Sequence, residues 1–332
     1  MVGFCLSKMA HLLKIHEMRK LKNRCQFTLL LCIMLHWGFA QEKNSKLMKY
    51  HAYQQDVEFL KINEDLEIAY TDEGKGEILF FVHGLASYLP AWKKNISELK
   101  SRYRCIAIDL PGFGKSSKPN SQMSMESYAE VIMGFCSKLK LNQITLIGHS
   151  MGAQISMTAA LKYPNLVKQL ILFAPAGLET FNKGQKQWFR DVMSVDAVRL
   201  TTAEQIRVNY YFNFYRMPKD AEFMVQDRLN IRSCSDFKDF CYHVVQGVNA
   251  MVNQPVYDFL PNINQRTMIV FGVQDNLIPN RFLHGGRAES VGKKGIAHLK
   301  NANLKMISRA GHFVMFEKAD ESNVLIQEFM AN

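Results

Sequence analysis

A mostly parallel, doubly wound α/β sheet with an inserted helical cap is the fold the sequence predicts, and three observations lead there. Short β-rich runs alternate with helical patterns, which implies parallel strands joined by crossovers that cover both faces. The chemistry-bearing residues fall just past the ends of those runs, where loops collect in such sheets. One connection, from the run Gln169-Leu170-Ile171-Leu172-Phe173-Ala174 to the run opening at Thr267, takes about ninety residues, far more than a crossover helix requires.

The elements follow in order. Residues 56–71 read as a hairpin, with strands near 57–62 and 66–71 joined by Asn63-Glu64-Asp65. Ile78-Leu79-Phe80-Phe81-Val82 is an unbroken apolar run, and Arg104-Cys105-Ile106-Ala107-Ile108 is another strand. Between Ser124 and Lys138 a helix is expected, because Tyr128, Val131, Ile132, Phe135 and Leu139 recur at helical intervals on one face. Strands at 144–147, 169–174, 267–272 and 304–308 complete the sheet. The division is a signal segment over 1–40, a core over 41–175 and 263–332, and a helical cap over 176–262. The cap is rich in Trp188, Phe189, Tyr210, Tyr211, Phe212, Phe214, Tyr215, Phe223 and Met224. Most of these are expected to bury against the cap or core, and a minority to line a cleft suited to an apolar or aromatic group.

Gly148-His149-Ser150-Met151-Gly152 follows the strand Ile144-Thr145-Leu146-Ile147 and opens the small-residue helix that begins at Ala153. A G-x-S-x-G between strand and helix lifts the serine hydroxyl to the top of a sheet and aims a helix N-terminus at it. Such a serine needs a base, and the base needs an orienting group. His312 follows Gly311 at the end of the run Leu304-Lys305-Met306-Ile307-Ser308, and Asp275 follows the run ending at Gly272. The catalytic set is thus read as Ser150, Asp275 and His312. An oxyanion would be bound by the backbone N–H groups of Leu85, in His83-Gly84-Leu85-Ala86, and of Met151. His83, Gly84, Gly148 and Gly152 are assigned to loop support, and His149 to packing or hydrogen bonding beside the serine.

With Asp109-Leu110-Pro111-Gly112-Phe113-Gly114-Lys115-Ser116, these motifs resemble the α/β-hydrolase superfamily, in its branch of esterases and lipases with a helical cap. The resemblance runs from about Val57 to the C-terminus, with the motifs in the family's order Ser, Asp, His. It implies a serine hydrolase acting on carboxylic esters without a cofactor. C–C bond hydrolases and perhydrolases share the same triad. In the former, arginines from core and cap contact the substrate, and Arg190 or Arg216 would serve here. Leu85 stands where perhydrolases often carry an aromatic residue, which disfavours that reading. Haloalkane and epoxide relatives place an aspartate where Ser150 stands. Non-catalytic receptors of this fold commonly lack a triad member, whereas this chain carries all three.

Composition narrows the classes further. The formal charge of +11 is concentrated at the start, where residues 1–40 hold six Lys or Arg against Glu17 alone. Downstream the basic excess is modest and unclustered, which argues against nucleic acid as a partner. Gly112-Phe113-Gly114-Lys115-Ser116 is not a phosphate-binding loop, because Asp109 occupies the position of the required first glycine. No H-E-x-x-H or paired C-x-x-C points to a metal. The expected partner is a small-molecule ester, with transient contact to a lipid or membrane surface.

Arg19-Lys20-Leu21-Lys22-Asn23-Arg24 precedes an apolar stretch from Phe27 to Ala40, which reads as a secretory signal cleaved after Ala40. The protein is therefore expected to be secreted or periplasmic, with a membrane anchor as the alternative. A start at Met18 would give a signal of ordinary length. Cys5, Cys25 and Cys32 would leave with the segment. Cys105 and Cys136 read as small core hydrophobes. Cys234 and Cys241 could pair in an oxidising compartment, although two thiols two turns apart on one helix would be too distant.

Overall fold

The computed structural model describes residues 46–331, so the signal segment over 1–40 and Cys5, Cys25 and Cys32 lie outside the described residues. Strands β1 (Glu58–Lys61), β2 (Glu67–Glu73), β3 (Ile78–Val82), β4 (Arg104–Ile108), β5 (Ile144–His149), β6 (Val167–Phe173), β7 (Arg266–Gly272) and β8 (Ala302–Ile307) form one sheet. Their order is β1-β2-β4-β3-β5-β6-β7-β8. The β1–β2 and β2–β4 pairs are antiparallel, and every pair from β4 through β3 to β8 is parallel. The winding direction reverses beside β3, which lies between β4 and β5. A crevice opens at the strand ends where such a reversal occurs, and the β3–β5 register Val82↔Gly148 sets His83 and His149 side by side there.

Strand alternation feeds two apolar layers. Leu79, Phe81, Ile147, Phe173 and Val270 face one side, where α1 (Lys93–Leu99) and α10 (Ala319–Ala331) supply Ile96, Ile326 and Phe329. Trp92 fills this layer, 5.2 Å from Phe81 and 6.0 Å from Phe173 between ring centroids. Phe80, Val82, Leu146, Leu172 and Phe271 face the other side against α2 (Met125–Lys138), α3 (Met151–Lys162) and α9 (Ala288–His298). Each large ring removed from water contributes roughly 1.5–3 kcal/mol. Helix α2 starts where its sequence says: Ser124 Oγ accepts from Ser127 N at 2.9 Å, and Ser124 N donates back to Ser127 Oγ at 2.7 Å.

Between β6 and β7 the chain forms α4 (Lys183–Val192), α5 (Val195–Arg199), α6 (Ala203–Phe212), α7 (Glu222–Asn230) and α8 (Phe237–Asn253). Asn182 with Gln185, and Thr202 with Gln205, build reciprocal caps at the starts of α4 and α6. Helix α8 packs deepest, burying Phe240, Cys241, Val244 and Val248, whereas α4 and α5 have no fully buried residue. Gln154 on α3 ties the end of α8 down, donating to Met251 O at 3.2 Å and Gln254 O at 2.9 Å.

One feature departs from expectation, and one alternative the sequence leaves open is decided. Residues ahead of Val57, left without a role by the sequence pattern, are a strap: Met48 is buried and its N–H donates to Asp236 Oδ1 at 3.0 Å. His51 bonds Asp227 on α7 at 3.0 Å, and Tyr53 donates to Asp109 at 2.9 Å. Cys234 and Cys241 are both free thiols, because Cys234 sits in the turn ahead of α8 while Cys241 is buried within that helix.

Candidate active site

Ser150 sits at the turn from β5 into α3 with φ 53° and ψ −117°, a conformation that costs a non-glycine residue of order 1–3 kcal/mol. The turn is locked by Ser150 N–H donating to Phe173 O at 2.9 Å. The flanking glycines serve close approach rather than the turn itself. A Cβ on Gly152 would stand 2.3 Å from Val82 O and 2.5 Å from His83 O, and one on Gly148 would meet Ala153 Cα at 2.6 Å. Backbone cannot yield as a side-chain tip can. Gly152→Ala is therefore expected to lose roughly 1–3 kcal/mol or more of stability by overpacking, read as a lowered urea midpoint with an unchanged slope; an unshifted midpoint would refute the contact.

Asp275 lies just past β7, with Oδ1 accepting from Leu277 N at 2.8 Å and Ile278 N at 3.0 Å. Its Oδ2 is 2.9 Å from His312 Nδ1, and both side chains are almost wholly buried. The acceptor-only carboxylate fixes the proton on Nδ1 and leaves Nε2 with its lone pair free. The His312 ring lies 4.8 Å from that of His149, the residue before Ser150. His149 Nε2 also bonds the backbone oxygen of His312 at 3.0 Å, so the strand-end histidine supports the loop of the other. Asp275, His312 and the serine turn are thus gathered at adjoining strand ends.

The loop after β3 closes against the turn: a Cβ on Gly84 would stand 2.9 Å from His149 Nδ1 and 3.1 Å from Ser150 Cβ. Ala86 follows with φ 54°, and Ser87 N–H donates to Gly84 O at 3.2 Å. Among the described residues neither the Leu85 nor the Met151 amide donates to a protein acceptor. Gly247 on α8 crosses directly above both residues, where a Cβ would reach Leu85 Cδ1 at 2.6 Å and Met151 Sδ at 3.1 Å. His83 joins neighbouring loops, donating from Nδ1 to Gly84 O at 2.7 Å and accepting at Nε2 from Leu110 N at 2.9 Å.

Burial pushes His83 down to about 4, and drives His149 well below its ordinary value with help from the His312 imidazole. Both rings stay neutral in the fold but would take up a proton when unfolded below about pH 6.5. Their stabilising contribution is complete above that pH and is lost as pH falls toward 4. Asp109 opposes this. Burial raises it to about 6 against the Lys115 and Leu89 amides and the Tyr53 hydroxyl, so the fold gains on its protonation. With His243, which burial also pushes down, three depressed histidines outweigh one raised carboxyl, and stability should fall between pH 6.5 and 4 by about 1.4 kcal/mol per pH unit for each net proton. Urea titrations at several pH values read the slope, and a flat profile would contradict it.

A cavity of about 400 Å³ lies between this site and the cap, bounded by Leu85 and by Phe313 next to His312. Its cap wall is mainly aliphatic, with Val192, Met193, Val198, Ile206 and Val244. The expected aromatic lining is corrected to Tyr210 alone of the cap rings named from the sequence, because Phe214 packs on Phe313 while Tyr211, Phe212 and Tyr215 point to solvent. The arginine expectation also changes. Arg190 and Arg216 are exposed, whereas Arg228 on α7 lines the cavity. Its guanidinium lies 5.1 Å and 4.8 Å from the rings of Phe237 and Phe240, burial pushes its pKa down, and Nη1 has no hydrogen-bond partner among the described residues.

Glu317 is a second residue the sequence did not flag. It accepts from Gly311 N at 2.8 Å, Tyr215 N at 3.0 Å and Arg216 N at 2.7 Å, joining the His312 loop to the cap. Among the described residues no group of three or more His, Cys, Asp or Glu side chains is placed to hold a metal.

Relatives carry the same architecture. A 2-hydroxy-6-oxononadienedioate/2-hydroxy-6-oxononatrienedioate hydrolase of Pseudomonas putida is 26% identical over 293 residues, covering 84% of this chain and 98% of the relative. The crystal structure of a probable hydrolytic enzyme from Pseudomonas aeruginosa PAO1 superposes with a TM-score of 0.76 at 24% identity, covering 86% of this chain and 98% of that one. A thermophilic esterase from Thermogutta terrifontis gives 0.67 at 23% identity, covering 83% of this chain and 98% of that one. The family model for the alpha/beta hydrolase fold matches residues 77–319, and the chain belongs to that family.

Proposed function

We propose that this hydrolase cleaves carboxylic esters through an acyl-serine intermediate. The observation that carries the reading is the buried 2.9 Å bond between Asp275 and His312 beside the strained turn of Ser150. His312 Nε2 takes the hydroxyl proton as Ser150 Oγ bonds to the carbonyl carbon, and the Leu85 and Met151 amides receive the oxyanion. The C–O bond then breaks, with the proton returned from His312 to the leaving alcohol. Water attacks the acyl-enzyme by the same route and frees the acid. Asp275 stays ionised throughout and holds the imidazole tautomer.

Arg228 favours a second reading within the same machinery. An unpaired guanidinium in a mainly apolar cavity suits a substrate bearing a carboxylate, and the Pseudomonas putida relative is named for hydrolysis of a diacid. Carbon–carbon cleavage of such an acid would use the same triad. If the Phe27–Ala40 stretch acts as a signal, either reaction takes place outside the cytoplasm, in a secreted or periplasmic enzyme, or at a membrane if the stretch is retained.

A fluorophosphonate probe should label Ser150, and aryl esters from acetyl to long-chain should turn over. No labelling would leave a binding protein of this fold. Turnover of a vinylogous C–C substrate above that of every ester, lost in Arg228→Met, would transfer the chain to the second reading.

A further inference from the structure

We propose that the outer face of the cap, formed by α4 and the loop carrying Phe282, docks on an anionic lipid surface and turns the cavity mouth toward it. Helix α4 has no fully buried residue, although its sequence supplies Trp188, Phe189 and Val192 on one side. Trp188 lies 6.0 Å from Phe282, whose side chain is 85% exposed. The patch continues through Arg281, 6.0 Å from the exposed Phe212 ring, and through Leu277 at 40% exposure. Val192 belongs both to this surface and to the cavity wall, so the patch reaches the mouth of the cleft.

Charge decides which partner fits. Lys183, Lys186 and Arg190 lie on α4 and Arg281 beside Phe282, and none of the four has an acidic ion-pair partner among the described residues. Arg190 bonds only Gln187, and Arg281 bonds Asn276. The acid of α4, Asp191, is occupied by Gln187 at 2.6 Å. A short amphipathic helix with a tryptophan, a phenylalanine and unpaired cations is the pattern of a segment lying in a bilayer interface, where cations meet acidic headgroups and rings enter the acyl boundary. A protein partner would have to carry a complementary acidic patch of its own, whereas an anionic bilayer supplies acidic headgroups by its composition. None of the described helices is long and apolar enough to cross a membrane, so attachment through this face is peripheral.

The chain's own tryptophans provide the test. There are three, at 37, 92 and 188, and Trp92 is fully buried. In the full chain carrying Trp37→Phe, quenching by brominated lipid therefore reports Trp188. Vesicles of phosphatidylcholine with phosphatidylserine should quench it, and phosphatidylcholine alone should do so several-fold less. Lys186→Glu with Arg190→Glu, at a half-buried and an exposed position, should weaken partition roughly tenfold or more, as should Phe282→Ser. Ser150→Ala should dock as the parent does, so the outcome is independent of the hydrolytic reading. Quenching that is absent, equal on both vesicles or insensitive to the charge reversals overturns the proposal, as does self-association abolished by Phe282→Ser without quenching.

Discussion

Ser150→Ala should reduce ester turnover by roughly 10³-fold or more while leaving the fold and the substrate KM close to those of the parent. The substitution removes one oxygen and retains the Cβ, so the strain at φ 53° is the same before and after. The lock from Ser150 N–H to Phe173 O is main chain and survives. What is lost is the atom that bonds to the carbonyl. The Leu85 and Met151 amides would still polarise a bound ester, so residual hydrolysis by water is expected above the uncatalysed rate. Turnover within tenfold of the parent, with urea midpoints matched, would remove Ser150 from the mechanism.

The pairing of Asp275 with His312 near the Ser150 turn was legible because each residue is announced by its own neighbours. A β-rich run followed by a small residue marks a strand end, and in a parallel sheet the strand ends gather. Gly148 and Gly152 carried a correct signal for a partly different reason. Their hydrogens make room for the Ala153 and Val82 backbones, and the positive φ belongs to the serine itself. The sheet was equally readable, since Phe80 and Phe81 in one run can be buried on opposite faces only if helices cover both.

The cap resisted such reading for a physical reason. Apart from α8 its helices are short, and α4 and α5 bury nothing completely, so periodicity does not say which side faces the cleft. Aromatic content therefore overstates the lining, and Arg190 and Arg216 are exposed where the half-buried Arg228 lines the cavity. Arg228 has no local motif. Its place follows from the rings of Phe237 and Phe240 on the next helix, which the sequence cannot bring together before the cap is folded. The strap from Met48 to Tyr53 escaped for a similar reason: its partners Asp236, Asp227 and Asp109 lie far along the chain.

Asp275→Asn tests the orientation of the base separately from its presence. Two backbone amides, those of Leu277 and Ile278, converge on Oδ1, and only an oxygen can accept from both. An asparagine must therefore place its carbonyl there and turn its NH₂ toward His312 Nδ1, which bonded Oδ2 at 2.9 Å. A donor facing Nδ1 selects the tautomer protonated on Nε2, and the nitrogen meant to accept from Ser150 then carries the hydrogen. The loop keeps its acceptor and the ring keeps its place, so stability should change little while kcat falls by about 10⁴, the drop known for this substitution in a serine protease. Asp275→Ala should differ, since it also strips the two amides of their acceptor and lowers stability by roughly 1–3 kcal/mol. Measuring kcat and urea midpoints for both variants separates the roles. An asparagine variant within tenfold of the parent would mean that His312 does not depend on Asp275 for its tautomer.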